Sequence, residues 1–237
     1  MKNLTWAILV AAGRDEQIAS SVSTPFLFLN DRPVIAYVLS ALEQAPEISG
    51  VVVVVDRENA HELLAMMKTY RFSKIQKIVG GGARRSTSMA AGLEYIDPNA
   101  DFVCVADPSR PLVTSALISE TVKAAWRGTG GIATAGEELI DPIALVKKNV
   151  FQERIKPGGS HLWSLVSPQV FPREVLVEAF AKLKKAATDD LEVVAAVAPK
   201  LVPRVVPAPP ACHVGVRIRS VDDLATATAF LRDPNRL

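Results

Sequence analysis

Short apolar runs alternate with amphipathic stretches along the first half of this chain. Residues 6–10, 51–55, 75–79, 102–106 and 132–135 are short, apolar and often β-branched. Their hydrophobicity is continuous rather than alternating, which is the pattern of strands buried on both faces. Between them, residues 34–44, 59–70, 85–96 and 115–126 predict helices. In the second of these, Leu63, Leu64, Met66 and Met67 form an apolar stripe suited to packing on a sheet. Strand alternating with helix predicts an α/β fold, a mainly parallel sheet with right-handed crossovers and helices on both faces.

After residue 135 the rhythm changes. Residues 143–146 and 150–155 read as strand pieces, and Pro157-Gly158-Gly159 as a turn. Together they predict a β-hairpin arm, within 136–165, that projects from the sheet. Its apolar edge would be a liability alone, and pairing of two subunits is a common way to cover one. A helical pattern returns at 173–185, followed by a proline-studded stretch over 199–210 and a last strand over 214–218. Ser220 and Asp223 form a capping-box variant that opens a final helix. No repeat, low-complexity tract or linker interrupts the pattern, so one domain is expected over 1–237.

Composition narrows the class. A chain of 237 residues with 49% hydrophobic residues can bury a full core. A formal charge of +2 is too small to argue for nucleic acid or an anionic membrane as partner. Cys104 and Cys212 are the two cysteines, with no metal-ligand spacing, and Cys104 sits inside an apolar run as a buried thiol. These features suit a reducing cytoplasm. No apolar run approaches the ~20 residues that span a bilayer. Residues 6–12 run directly into Gly13-Arg14-Asp15-Glu16, so a first strand is expected there rather than a signal peptide.

Polar groups collect where the predicted strands end, the edge at which open α/β sheets bind ligands. Ala11-Ala12-Gly13 offers a small-residue surface for close approach of a base or sugar. Gly80-Gly81-Gly82 offers a second, followed by Arg84, Arg85 and Ser88; adjacent arginines beside a glycine turn suit phosphate recognition. The plainer reading of that segment is a helix-entry turn with polar capping. Asp107 ends a strand, where a carboxylate can hold a divalent cation near phosphate oxygens, or can merely cap the loop. Asp141, Ser167, Thr188 and Arg217 add hydroxyls, carboxylate and charge for a polyol phosphate. His61, His161 and His213 have no spacing suited to zinc or a nucleophile triad.

Taken in order, these segments resemble the methylerythritol 4-phosphate cytidylyltransferases of the non-mevalonate isoprenoid pathway, a family that includes ribitol 5-phosphate cytidylyltransferases. The likeness runs from Ala11-Ala12-Gly13 through Arg32-Pro33-Val34, Gly81 to Ser88, Asp107-Pro108-Ser109-Arg110-Pro111, Asp141, Leu162-Trp163 and Ser167-Pro168-Gln169. It continues through Thr188-Asp189-Asp190 and Arg217-Ile218 to Asp222-Asp223-Leu224. The resemblance implies a Rossmann-like nucleotidyltransferase with a dimerising arm, a homodimer that takes CTP, Mg²⁺ or another divalent cation, and a sugar-alcohol phosphate. By analogy, Ala11, Ala12, Gly13, Gly81, Gly82, Arg85 and Ser88 hold the nucleotide. Asp141, Ser167, Thr188 and Arg217 hold the acceptor together with Asp107, which also serves catalysis and the metal, and Arg14 supplies a catalytic cation.

This chain departs from the family pattern on the phosphate side. Asp15 stands at a glycine position, Gln17 at an arginine, Phe26 at a lysine, Pro142 at a threonine, Gly159 at the arm arginine and Arg217 at a late lysine. Transfer of CMP from CTP is one reading. A nucleotide-binding or dimeric interaction protein without that activity is another. A third is a transferase for a different acceptor, clamped by Arg14 and Arg84. If the first-loop alignment holds, Phe26→Lys combined with Gln17→Arg raises the transfer rate.

Overall fold

The computed structural model of the protein describes residues 3–12, 23–82, 84–156, 158–183, 189–209 and 212–232. In chain order the strands are β1 (Thr5–Ala11), β2 (Phe28–Leu29), β3 (Arg32–Pro33), β4 (Ile48–Val55), β5 (Ile75–Gly80) and β6 (Phe102–Ala106). They are followed by β7 (Ala133–Glu138), β8 (Ala144–Lys147), β9 (Val150–Arg154), β10 (Trp163–Pro172) and β11 (Arg204–Pro207). The helices are α1 (Val34–Gln44), α2 (Ala60–Tyr70), α3 (Arg85–Leu93), α4 (Ser115–Arg127), α5 (Arg173–Lys182), α6 (Asp190–Val197) and α7 (Val221–Leu231).

Seven of the strands form one sheet in the order β11-β7-β10-β6-β1-β4-β5. Strand β1 runs parallel to β4 and β6, and β4 parallel to β5, whereas β10 is antiparallel to both β6 and β7. The continuous apolar runs have a direct cause. Ala7, Leu9, Val51, Val53 and Cys104 face one core with α1, α2 and α4. Their neighbours Ile8, Val10, Val52, Val54 and Val105 face a second core with α3, α5 and α6. Successive side chains point to opposite faces of a strand, so a sheet covered on both sides needs no polar alternation.

Several elements differ from the sequence pattern. Helix α2 buries Leu63 and Met66, but Leu64 turns to solvent. Residues 214–218 form no strand; the last one is β11, inside the proline-studded stretch. It lies at the edge of the sheet, where proline does not break a central ladder. Strand β10 and helix α6 were not predicted. In β10, Ser167-Pro168-Gln169 interrupts the apolar run where the pairing register with β7 shifts.

Strands β8 and β9 pair as a separate antiparallel hairpin. Its turn is Lys148-Asn149, with φ of 49° and 63°, as a two-residue type I′ connection requires. The expected arm over 136–165 begins and ends inside the main sheet, because Gly136, Glu137 and Glu138 pair with Leu165, Ser164 and Trp163. Helix α7 is capped by Ser220, whose Oγ accepts from Asp223 N at 3.2 Å, as the sequence pattern predicts.

Candidate active site

A cleft of about 390 Å³ opens at the carboxyl ends of β1 and β6. Of the predicted site residues, Ala11, Ala12, Arg85, Asp107, Ser167 and Arg217 line it. Asp107 is the centre of charge. Its amide donates to Ser167 Oγ at 2.8 Å, and its Oδ1 accepts from Ser109 N at 2.9 Å. Oδ2 lies 3.1 Å from Arg217 Nε and 3.3 Å from Arg110 Nε. Both Nε atoms are buried and lack an aligned hydrogen-bond partner, so these contacts are ion pairs by proximity alone. Burial pulls the Arg110 guanidinium below its usual pKa, and the Asp107 carboxylate opposes that pull.

Arg85 begins α3 and donates from Nη2 to Asp190 Oδ2 at 2.6 Å. Asp190 is nearly enclosed at the start of α6, a helix capped by Asp189 through Glu192 N at 2.9 Å. Burial pushes the Asp190 carboxyl above its ordinary value, and Arg85 offsets the shift only in part. The pair therefore orients Arg85 at the cleft wall while leaving a costly carboxylate behind it.

The glycine turn forms structure around the cleft rather than its lining. Gly81 donates from its amide to Val55 O at 2.8 Å. A Cβ on Gly82 would come within 2.7 Å of Thr87 Oγ1. Ser88 is fully buried, accepting from Gly82 N at 3.1 Å and donating to Gly82 O at 3.2 Å. Its hydroxyl thus ties the glycine turn to the first turn of α3. Asp141 is exposed and does not line the cleft of its own chain. Gly13, Arg14 and Thr188 lie outside the described residues.

Phe26, which the resemblance sets at a lysine position, is 2% exposed and packs in the larger core. The adjoining Thr24 and Pro25 line the cleft instead. Arg110 and Gln169, which carry the family resemblance without an assigned role, also line the cleft, and so does Arg219, which no motif marked. Arg219 stands two residues from Arg217, a spacing that could have marked it.

The residues present do not fit a resident metal at Asp107. Magnesium usually keeps several waters and takes one or two carboxylates plus substrate phosphates, and here the single candidate carboxylate, Asp107, faces through Oδ2 two guanidinium groups that repel a dication. Among the described residues no group of three His, Cys, Asp or Glu side chains could hold one. Arginines 85, 110, 217 and 219 instead make the cleft suited to phosphate oxygens.

A sequence profile described as 2-C-methyl-D-erythritol 4-phosphate cytidylyltransferase matches residues 5–233. A protein of that name from Desulforamulus reducens is 32% identical over 97% of this chain and 96% of its own. The crystal structure of 4-diphosphocytidyl-2C-methyl-D-erythritol synthase from Anaerococcus prevotii superposes with a TM-score of 0.82 at 19% identity, covering 98% of this chain and 97% of that one. A 2-C-methyl-D-erythritol 4-phosphate cytidylyltransferase from Thermus thermophilus gives a TM-score of 0.74 at 22% identity, over 95% and 98%. At such identities the two structures share the fold.

Proposed function

The chain belongs to the 2-C-methyl-D-erythritol 4-phosphate cytidylyltransferase family, and from that premise we infer that it transfers CMP from CTP to 2-C-methyl-D-erythritol 4-phosphate. A phosphate oxygen of the acceptor attacks the α-phosphorus of CTP. The bond from that phosphorus to the bridging oxygen breaks, and pyrophosphate leaves with the electron pair.

The observation that carries the site assignment is Asp107 set between Arg110 and Arg217, beside the small residues Ala11 and Ala12. On this reading Ala11 and Ala12 admit the flat base. Arg85 and Arg217 face phosphate oxygens, where fixed cations lower the barrier by meeting charge as it develops. Asp107 orients Arg217 and accepts hydrogen bonds from the acceptor's hydroxyls. Ser167 holds the Asp107 backbone in place. The divalent cation, Mg²⁺ in this proposal, arrives with CTP as part of the substrate.

A homodimer through the hairpin is part of the same proposal. Leu145, Val146, Val150 and Phe151 are all exposed on β8 and β9, and a second copy would cover them. Asp141 would then act from the arm of a partner rather than in its own cleft. The proposed setting is the cytoplasm, a reading supported by two free thiols. Among the described residues no helix is long and apolar enough to cross a membrane.

The deciding experiment is pyrophosphate release from CTP, Mg²⁺ and methylerythritol 4-phosphate. Wild type is expected to turn over, and Asp107→Asn to lose about 10²-fold or more. A folded wild type that binds CTP without releasing pyrophosphate would favour the nucleotide-binding alternative and overturn this one.

A further inference from the structure

Arg217 reaches Asp107 from a segment that belongs to no helix or strand. Residues 213–218 form a turn followed by irregular chain, with His213 at φ 42°. Such a segment has no ladder of backbone hydrogen bonds to fix it, so its position depends on what grips it. Its own backbone supplies Val216 N to His213 O at 3.0 Å, and Ile218 N reaches Ser109 O at 2.8 Å. Val214 is fully buried in the larger core, Val216 and Ile218 pack with Leu224 and Ala227 of α7, and the His213 ring stacks on Phe230. The backbone at Val214 and Gly215 is held besides by two side chains of opposite charge. Arg110 Nη1 donates to Val214 O at 2.9 Å and Gly215 O at 3.0 Å. Glu137, on β7, accepts from Gly215 N at 2.8 Å through Oε1.

The two polar groups of Gly215 are thus taken by the charge each prefers, the amide by a carboxylate and the carbonyl by a guanidinium. The fit on the Glu137 side is tight. A Cβ at residue 215 would overlap the Glu137 carboxylate, so the glycine is what lets the acid reach the backbone. Arg110 also contacts Asp107, which makes it part of the cleft. Glu137 does not line the cleft.

We propose that Glu137 is a positioning residue for Arg217, holding segment 213–217 through the Gly215 amide so that the Arg217 guanidinium stands against Asp107. The proposal rests on the cytidylyltransferase reading only in naming the ligand. Loss of the carboxylate frees the Gly215 amide, and Arg217 then samples positions away from the phosphate it meets. Affinity for the phosphate-bearing acceptor falls more than the rate of the bound complex.

The test combines exchange, binding and a double-mutant cycle on the full chain. Glu137→Ala is expected to speed hydrogen exchange at the Gly215 amide. It should raise both KM and calorimetric Kd for methylerythritol 4-phosphate about tenfold, the worth of one hydrogen bond to a charged group, with kcat changed less. Glu137→Gln keeps an oxygen acceptor and should recover most of that affinity. In an Arg217→Ala background, Glu137→Ala should add less than about twofold, because a residue acting through Arg217 has nothing left to position. Equal losses in the two backgrounds, or unchanged Gly215 exchange in Glu137→Ala, would overturn the proposal. A wild type that binds the acceptor without turnover would sink the transfer reading alone, since the affinities still decide the role of Glu137.

Discussion

Gly81 lies so close to Ala12 that a Cβ on the glycine would overlap the methyl group of the alanine. That contact joins Ala12, which follows β1 and lines the cleft, to the turn before α3, which supports it from behind. Gly81→Ala is therefore expected to destabilise the fold by about 1–3 kcal/mol, the range for overpacking a close contact, and to depress transfer as Ala12 is displaced. Adding Ala12→Gly removes the opposing methyl group and should return part of both losses. Urea melts of the two single variants and the pair measure the coupling; strictly additive values would refute steric contact as the cause.

Phe26 gives a different outcome from the one its sequence position suggests. Replacing it with lysine restores a family residue on paper, yet the side chain is buried among the larger core's apolar residues. A lysine there leaves either an unpaired buried cation or an emptied site. The expected effect of Phe26→Lys is a loss of about 3–5 kcal/mol, the range for vacating a buried phenylalanine. Combining it with Gln17→Arg should bring no gain in rate. A lower urea midpoint with unchanged slope is the result to look for, and a variant as stable as wild type would show that the side chain can swing into the cleft.

What could be read in the sequence follows from how local each signal is. Helix α1 was predicted to the residue, because an apolar face begins directly after Pro33 and repeats without interruption. The central strands were equally plain, being covered on both faces. Strand β10 was hidden by the polar residues at its register shift. Strand β11 was hidden by prolines that only an edge position tolerates. The same division holds in the cleft. Asp107 and Arg217 stood out through motifs, whereas the grip of Glu137 on Gly215 joins β7 to a distant loop and has no local signature. The bond from Ser88 back to Gly82 was likewise out of reach, because a hydroxyl one turn into a helix does not announce its partner.

The hairpin leaves Phe151 62% exposed, beside Val150 and across from Val146. A charge at this position should change association and little else if a second copy covers the face. Phe151→Glu is expected to shift the sedimentation coefficient from dimer to monomer at micromolar concentration without lowering the thermal midpoint of the remaining subunit by more than about 0.5 kcal/mol equivalent, as for ordinary surface changes. A wild type that sediments as a monomer would dispose of the hairpin dimer directly.

Glu43 ties the end of α1 to the start of β5, and its behaviour with pH has a definite sign. Its carboxylate accepts from Ser73 N and Lys74 N, each at 3.0 Å, and from the Ser73 hydroxyl. Beside it, Lys74 Nζ donates to Ala45 O at 2.6 Å, closing the helix end. Burial works against ionisation of Glu43, but the donated hydrogen bonds outweigh it and hold the carboxyl below its ordinary value of 4.5. A carboxyl whose folded-state pKa is depressed stabilises the fold above its unfolded value and loses that contribution as pH falls through the folded one. Glu43→Gln keeps the shape but offers a weaker acceptor, so it should destabilise by about 1 kcal/mol at pH 7. The gap between variant and wild type should then shrink as pH drops below 4.5, when the wild-type carboxyl also becomes neutral. Urea midpoints across pH 7 to 3 follow that convergence. A gap constant over the range would mean that the charge of Glu43 contributes nothing and that the clasp acts by shape alone.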